Sequence, residues 1–478
     1  MEEIRIISNI NSHSNSGAVL QLSCREANPQ PSCREANPQP SCREADPQPS
    51  RREADPQPSC SRTDQQPSGR EADPQPSCSR TDQQPSGRKT NPQPSGQVAD
   101  LRPFSRETAE STRKFHASFP EYAPTPLVSL TELAAFLSTG GIYVKDESFR
   151  FGLNAFKALG SSYAAGCYIA QQLGADIRDI SYAQITSSET HARMGQLTFV
   201  TATDGNHGRG AAWTAAKLGQ KCVVYMPEGS AEERLENIRA QGAQASILDM
   251  AYDDVVRFAS EQAEKNGWIL MQDTAWDGYE EIPLHIMQGY LTMALEAHEQ
   301  LGGTKPTHIF LQAGVGSMAA AVAAFFTNLY PGKKKPVIII VEPHKAACFL
   351  KSAAAGDGRP HAVTEKMDTI MAGLACGKPS KLAWEILRDC ADYFISIPDE
   401  TAAKGMRVLG NPMGSDQRII SGESGASTFG LVFELLNNKK HAGLKQELVL
   451  NETSNILCFS TEGDTYKENY RRIVWGGK

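Results

Sequence analysis

The chain has 478 residues, enough for two or three domains, and a formal net charge of −7 at pH 7. Nucleic acids and acidic membranes are bound mainly by clustered lysine and arginine, so this charge argues against both as partners. No stretch reaches the roughly 18–20 apolar residues that a membrane helix needs, and the N-terminus lacks a basic, apolar leader. A cytoplasmic location is therefore expected.

The first hundred residues differ in composition from the rest of the chain. Between Cys24 and Ser95 a nine-residue unit such as CREADPQPS occurs eight times with few changes. The copies offer little apolar side chain beyond alanine, so stacking them would bury too little surface to offset the loss of chain entropy. We therefore predict a disordered tail over residues 1–100, with eight repeats at 24–95, and a globular domain over residues 101–478.

Beyond residue 101, short apolar stretches alternate with helical patterns. Predicted strands include Ile142–Glu147, Leu197–Thr203, Cys222–Pro227 and Ala245–Asp249, and the stretches ILMQDT, HIFLQA and VIIIVEP continue the alternation. Strands and helices in this order form parallel βαβ units with helices on both faces of the sheet. The predicted fold class is α/β, with parallel sheets in two lobes. Ligands of such folds bind at the carboxyl ends of strands, so functional residues are expected in the loops that follow them.

Two of these loops carry a lysine and a glycine turn. Lys157 follows Phe156 at a predicted helix start, an apolar setting that lowers the pKa of an amine and makes it a nucleophile toward an aldehyde. The loop TDGNHGRG (203–210) allows a tight turn whose N–H groups can bind an anion. Within it, Asn206 can donate to a phenolate oxygen and Asp204 can transfer protons. Taken singly, such a lysine is usually a solvated surface residue, and such a turn is as often structural as functional.

Two later loops offer a phosphate site and a hydroxyl group. AGVGSM (313–318) lacks the GK of a nucleotide-binding P-loop, yet it suits a single phosphate held by backbone amides and a serine hydroxyl. The residues expected to form this phosphate cradle are Gly314, Val315, Gly316, Ser317 and Met318. In CFSTEGDT (458–465), Ser460 supplies a neutral hydroxyl that could meet a ring nitrogen, although alone the segment would be interpreted as a polar turn.

The four loops, in this order, resemble those of the fold-type-II pyridoxal-phosphate enzymes, the family of tryptophan synthase β, threonine deaminase and serine racemase. The resemblance extends from Arg102 to Lys478. It implies that Lys157 holds pyridoxal 5'-phosphate as a Schiff base and that the phosphate cradle holds the cofactor phosphate. It also implies that Asn206 contacts the phenolic oxygen of the cofactor and that Ser460 faces the pyridine nitrogen.

Longer strings narrow this resemblance within the family. Ala155 and Asp204 replace serines that are usual there, and both replacements, with QDTAW, IMAGLACG and STEGDT, are similar to the diaminopropionate ammonia-lyases. The similarity implies elimination of ammonia from 2,3-diaminopropionate to give pyruvate and ammonia, with Lys157, Asp204 and Asp273 as catalytic residues. Asp273 would either protonate the leaving amine or hold it by charge pairing. A homodimer is implied as well.

Other functions remain open at this point. A serine or threonine dehydratase, or an enzyme of β-replacement, would use the same fold, although the carboxylate at 204 argues against it. A scaffold without activity would be expected to lose Lys157 first, and the lysine is present. The cysteines of the globular part lack the spacing of metal ligands, so no metal site is predicted.

Overall fold

The computed structural model describes residues 3–9, 98–203 and 205–476. The nine-residue repeats and Asp204 lie outside these described residues. The strands formed within them are β1 (Arg5–Ser8), β2 (Leu127–Ser129), β3 (Gly141–Asp146), β4 (Thr198–Ala202), β5 (Lys221–Met226), β6 (Gln244–Ile247), β7 (Ile269–Leu270), β8 (His308–Gln312), β9 (Val337–Pro343), β10 (Tyr393–Ile397) and β11 (Asn455–Ser460).

Helices cover these strands. In chain order they are α1 (Arg106–Ala117), α2 (Thr131–Phe136), α3 (Ala158–Leu173), α4 (Tyr182–Ile185), α5 (Ser188–Met194), α6 (Asn206–Lys217), α7 (Glu232–Arg239), α8 (Tyr252–Asn266), α9 (Glu281–Gly289), α10 (Leu291–Gln300), α11 (Ser317–Leu329), α12 (Cys348–Ala355), α13 (Lys381–Cys390), α14 (Asp399–Gly410), α15 (Ser427–Asn437), α16 (Ala442–Glu447) and α17 (Lys467–Gly476). None of the helices in the described part of the chain is both long and apolar enough to cross a membrane.

Two separate sheets confirm the predicted α/β fold with two lobes. The larger sheet has the strand order β1-β10-β9-β8-β11-β3-β2, and the smaller sheet has the order β6-β5-β4-β7. All pairs of the smaller sheet are parallel, and in the larger sheet the two edge pairs, β1 with β10 and β2 with β3, are antiparallel. The central strands β8 and β9 are buried along almost their whole length, which explains their continuous apolar sequences.

The N-terminal strand corrects the predicted tail. Residues 3–9 were expected to be disordered with the repeats, but Arg5–Ser8 pairs with β10 and extends the larger sheet by one strand. Ile4 and Ile6 enter the core beneath that sheet, and Ile7 is also buried. The prediction was wrong for these residues because so short an apolar stretch forms a strand only when a sheet edge is available to pair with it. Residues 1–2 and 10–97 of the predicted tail lie outside the described residues, whereas residues 98–100 are described, and Ala99 N donates to Asp389 Oδ2 at 2.7 Å.

Candidate active site

The ends of strands from both sheets meet around one cavity. From the larger sheet come the residues that follow β8 and β11, and from the smaller sheet those that follow β4 and β7. Lys157 reaches the same cavity from the start of α3. The cavity thus lies at the carboxyl ends of parallel strands, where the sequence predicted functional loops. It is lined by Phe156, Lys157, Ala202, Thr203, Asn206, His207, Tyr252, Asp273, Gln312, Gly314, Val315, Gly316, Ser317, Met318, Gly373, Leu374, Cys376, Ser424, Thr461 and Glu462.

Lys157 and Asp273 form an ion pair inside the cavity. Lys157 Nζ donates to Asp273 Oδ2 at 2.5 Å, and His207 Nδ1 lies 3.7 Å from the same oxygen. Burial alone would raise the pKa of the Asp273 carboxyl, but the charges of His207 and Lys157 outweigh burial and lower the pKa to about 2. Asp273 is therefore an anion at neutral pH, suited to hold a cation.

The loop that carries Lys157 is fixed against the STEGDT turn. Phe156 N donates to Thr461 O at 3.1 Å, Gly463 N donates to Asn154 O at 3.0 Å, and Ala155 forms a β-bridge with Glu462. Two segments about 300 residues apart in the chain thus run side by side. This pairing holds the lysine beside the residues that follow β11.

The segment that the sequence analysis proposed as a phosphate cradle leads into the start of α11. Gly316 has φ +91°, a conformation that favours glycine, and a Cβ there would lie 2.3 Å from the Phe349 ring. The N–H groups of the first helical turn have no acceptor within the helix, and the helix dipole favours an anion at this end. Ser317 Oγ donates to Asp273 O at 2.5 Å, which ties the cradle to the Asp273 loop.

Asn206 is the first residue of α6, so the helix begins inside the segment 203–210 that the sequence analysis treated as a loop. Its Nδ2 donates to Glu462 Oε2 at 2.5 Å. His207 Nε2 contacts Met271 O at 2.7 Å, which anchors this turn to the end of β7. Asp204, two residues earlier, lies outside the described residues.

Ser460 is not among the described residues that line the cavity. As the last residue of β11 it is buried, and its Oγ donates to Ser421 Oγ at 2.8 Å. The next residue, Thr461, lines the cavity instead. Neighbouring side chains of an extended chain point to opposite sides, so Thr461 faces the cavity when Ser460 faces the core. Gln312 Nε2 donates to Thr461 Oγ1 at 2.9 Å, which leaves the threonine hydroxyl hydrogen to serve as a donor.

A second cavity of about 440 Å³ adjoins the first. Tyr252, Val315 and Cys376 line both. Ser260 of α8 and Trp276 of the Asp273 loop also line the second cavity. Within residues 3–9, 98–203 and 205–476, no group of three or more histidine, cysteine or acidic side chains is arranged to hold a metal ion.

These parts fit pyridoxal phosphate. A lysine amine can bond to its aldehyde, the glycine cradle suits its phosphate, and Asn206 and Thr461 offer hydrogen-bond donors to its ring. The family model for "Pyridoxal-phosphate dependent enzyme" matches residues 119–451. The chain belongs to this family of pyridoxal-phosphate-dependent enzymes.

Among its relatives are diaminopropionate ammonia-lyases. The chain is 52% identical to the enzyme of Salmonella typhimurium over 368 residues, which cover 76% of this chain and 91% of the relative. It is 48% identical to the enzyme of Escherichia coli over 373 residues, covering 77% and 92%. The crystal structure of the Escherichia coli enzyme in complex with D-serine superposes with a TM-score of 0.74 at 47% identity, over 80% of this chain and 95% of that one. The same enzyme has a structure with an aminoacrylate-PLP azomethine reaction intermediate, with a TM-score of 0.73.

Several lining residues were not predicted from the sequence. Glu462 and Thr461 stand in the STEGDT string, from which the sequence analysis selected Ser460 rather than the hydroxyl that lines the cavity. Tyr252 and Gln312 carried no motif, and only the folded chain brings them to the cavity. Contacts between distant segments decided their positions.

Proposed function

We propose that this protein eliminates ammonia from 2,3-diaminopropionate, giving pyruvate and ammonia, with pyridoxal phosphate held by Lys157. The observation that carries the proposal is the ion pair between half-buried Lys157 and buried Asp273 beside the glycine cradle. The similarity to diaminopropionate ammonia-lyases over most of both chains supports the substrate. When bound, the cofactor supplies a conjugated ring that stabilises the negative charge left at Cα after a proton is removed.

Asp273 would hold the side-chain ammonium group of the substrate rather than protonate it. A carboxyl with a pKa of about 2 is almost never protonated at neutral pH, so it is a poor proton donor. It is nearly fully buried, and in the structure it already binds one ammonium group, that of Lys157. A second amine in the same cavity would find the same charge-assisted hydrogen bond. Of the two roles left open by the sequence, the low pKa favours charge pairing.

Lys157 and Asp204 would move the substrate protons. We propose that the lysine takes the Cα proton of the L-isomer and that Asp204 takes it from the D-isomer, because the family resemblance assigns the two residues to opposite faces of the cofactor. When the side-chain amine of the substrate is neutral, Asp204 would also give it a proton, so that Asp273 can hold it as an ammonium group and it leaves as ammonia. Thr461 would donate to the pyridine nitrogen in place of Ser460, because it lines the cavity and its hydroxyl hydrogen is left to donate.

Release of ammonia and pyruvate from diaminopropionate tests the proposal. The purified protein should turn over diaminopropionate much faster than serine or threonine. A visible absorption band that borohydride abolishes should accompany this activity. Serine or threonine turnover without diaminopropionate turnover would instead support a dehydratase, and the absence of both the band and turnover would support a scaffold.

The quaternary state and location are part of the same proposal. We propose a homodimer, from the family resemblance, and a cytoplasmic location. Light scattering of the purified protein would measure the first, and fractionation of cells that produce the full chain would measure the second. A monomer in solution or a membrane-bound fraction would contradict them.

A further inference from the structure

Glu462 is a buried carboxylate in the active-site cavity with no role in the elimination described above. It is 2% exposed and is the second residue after β11. Its Oε1 accepts from the backbone N–H of Ser424 at 3.0 Å. Its Oε2 accepts from Asn206 Nδ2 at 2.5 Å and from Thr465 Oγ1 at 3.2 Å. Both oxygens of one side chain are therefore occupied as acceptors.

These partners require a carboxylate rather than an amide at position 462. The backbone N–H of Ser424 can only donate, so the atom opposite it must accept. The other oxygen faces the Asn206 amide and the Thr465 hydroxyl. A glutamine has one oxygen and one NH2 group, so it would present an NH2 group to one of these two sides.

The same contact decides which way the Asn206 amide stands. If the amide were reversed, its oxygen would face a carboxylate oxygen, and two acceptors would be in contact. With the NH2 group on Glu462, one hydrogen is used there and the second remains available in the cavity. Opposite a glutamine NH2 group, Asn206 would turn its oxygen toward position 462. Its NH2 group would then no longer have one hydrogen on residue 462 and the other in the cavity.

We propose that Glu462 is a positioning residue that holds the Asn206 amide with its N–H side toward the cavity, so that Asn206 donates to the phenolic oxygen of the cofactor. The inference rests on pyridoxal phosphate as the cofactor. It adds a residue that decides whether Asn206 donates or accepts a hydrogen bond at the phenolic oxygen. Glu462 acts through Asn206, so its effect must disappear when the Asn206 amide is removed.

Glu462→Gln tests the proposal through cofactor binding, without the diamino acid substrate. Equilibrium dialysis of the holoenzyme against graded concentrations of pyridoxal phosphate gives the cofactor Kd. Replacing a donor by an acceptor at the phenolic oxygen should raise this Kd about 10- to 100-fold and shift the absorption band of the bound cofactor. Because the diamino acid is absent, failure of this result is distinguishable from failure of the proposed elimination.

Glu423→Gln is the matched control. Glu423 is also 2% exposed, and burial and the neighbouring Glu462 raise its pKa, yet its carboxylate accepts a hydrogen bond from Asn469 rather than Asn206. The same change there should leave the Kd and the absorption band at wild-type values. Equal effects of both substitutions would show a general response to a lost buried charge and would overturn the proposal.

A double-mutant cycle with Asn206→Ala gives the decisive measurement. The Kd increase caused by Glu462→Gln should largely vanish in the Asn206→Ala background, because the intermediary is gone. Equal increases in both backgrounds, or a wild-type Kd and spectrum for Glu462→Gln, would refute the role. If Glu462→Gln does not fold, Glu462→Asp, which keeps the charge but shortens the reach, is taken through the same cycle with the same criteria.

Discussion

Residues 11–96 can be replaced by ten glycine and serine residues while β1 and the catalytic domain are kept. Two described residues that flank this segment, Asn9 and Ala99, contact the same part of the structure. Asn9 N donates to Asp392 O at 2.8 Å, and Ala99 N donates to Asp389 Oδ2 at 2.7 Å. The Cα atoms of Asp389 and Asp392 are at most about 11 Å apart, whereas ten linker residues reach about 33 Å. We expect the excised variant to keep the melting temperature and the deamination rate of the full chain.

Truncation of residues 1–97 should behave differently, because it also removes β1. Ile6 pairs with Ile395 of β10 and is buried in the core beneath the sheet. Ile6→Ala in the full chain should lower the free energy of unfolding by about 2–4 kcal/mol. At worst, the Ile6→Ala variant releases the whole strand from the sheet. Deleting the strand must therefore lower the free energy of unfolding by at least as much as Ile6→Ala does.

Thermal unfolding followed by circular dichroism compares the three variants. At about 2–4 °C per kcal/mol for a large domain, a loss of about 2–4 kcal/mol should make the truncated protein melt about 4–16 °C below the full chain. The excised protein should melt with the full chain. A truncated protein that melts like the full chain would show that β1 contributes nothing. An excised protein that melts like the truncated one would show that the repeats, and not the strand, stabilise the domain.

Four substitutions test the site itself. Lys157→Ala should abolish the visible absorption band and deamination, and a coloured, borohydride-reducible variant would contradict its role. Asp204→Asn should abolish ammonia release from D-diaminopropionate and reduce release from the L-isomer less, and equal losses would remove Asp204 from the D-specific role. Asp273→Asn should raise the KM for diaminopropionate about tenfold or more, because a charge-assisted hydrogen bond is lost. The pKa of Asp273 in the folded protein lies below its ordinary value, so ionised Asp273 stabilises the fold. Urea titrations of the wild type should show this stabilisation being lost as pH falls from about 4 toward 2. Ser260→Trp, which fills the second cavity, should lower kcat/KM and leave the absorption band unchanged if substrate enters there, and an unchanged kcat/KM would exclude that route.

The order of strands and helices was predictable because the residues of each strand or helix show its apolar pattern by themselves. The strand predicted at Ile142–Glu147 is β3, and the one predicted at Leu197–Thr203 is β4, each within one residue at its ends. A buried parallel strand needs a continuous apolar stretch, and this stretch can be recognised without knowing which strands pair with it. The strand β1 did not follow this rule, because its partner β10 lies nearly 390 residues away in the chain.

The site was predictable only to the extent that single loops reveal chemistry. Lys157, Asn206 and the glycine cradle were found because their residue types suit an aldehyde, a phenolic oxygen and a phosphate, and the structure brings all of them to one cavity. The choice between Ser460 and Thr461 depended on a single step along a strand, which places neighbouring side chains on opposite sides. A motif locates such a turn but does not fix which of two adjacent hydroxyls faces the ligand.

Glu462 shows why part of an active site stays invisible to motif analysis. Its proposed role depends on a hydrogen bond from Asn206, which precedes it by 256 residues, and on another from the backbone N–H of Ser424. A backbone N–H is present at almost every residue, so the sequence does not mark it. Charge and hydrogen-bond polarity are properties of the contact, and the contact exists only after both sheets have brought their strand ends together. Lys157 could be proposed from its own loop because an amine in an apolar setting can itself bond to an aldehyde. A residue that acts by orienting another one becomes recognisable only through the geometry of the pair.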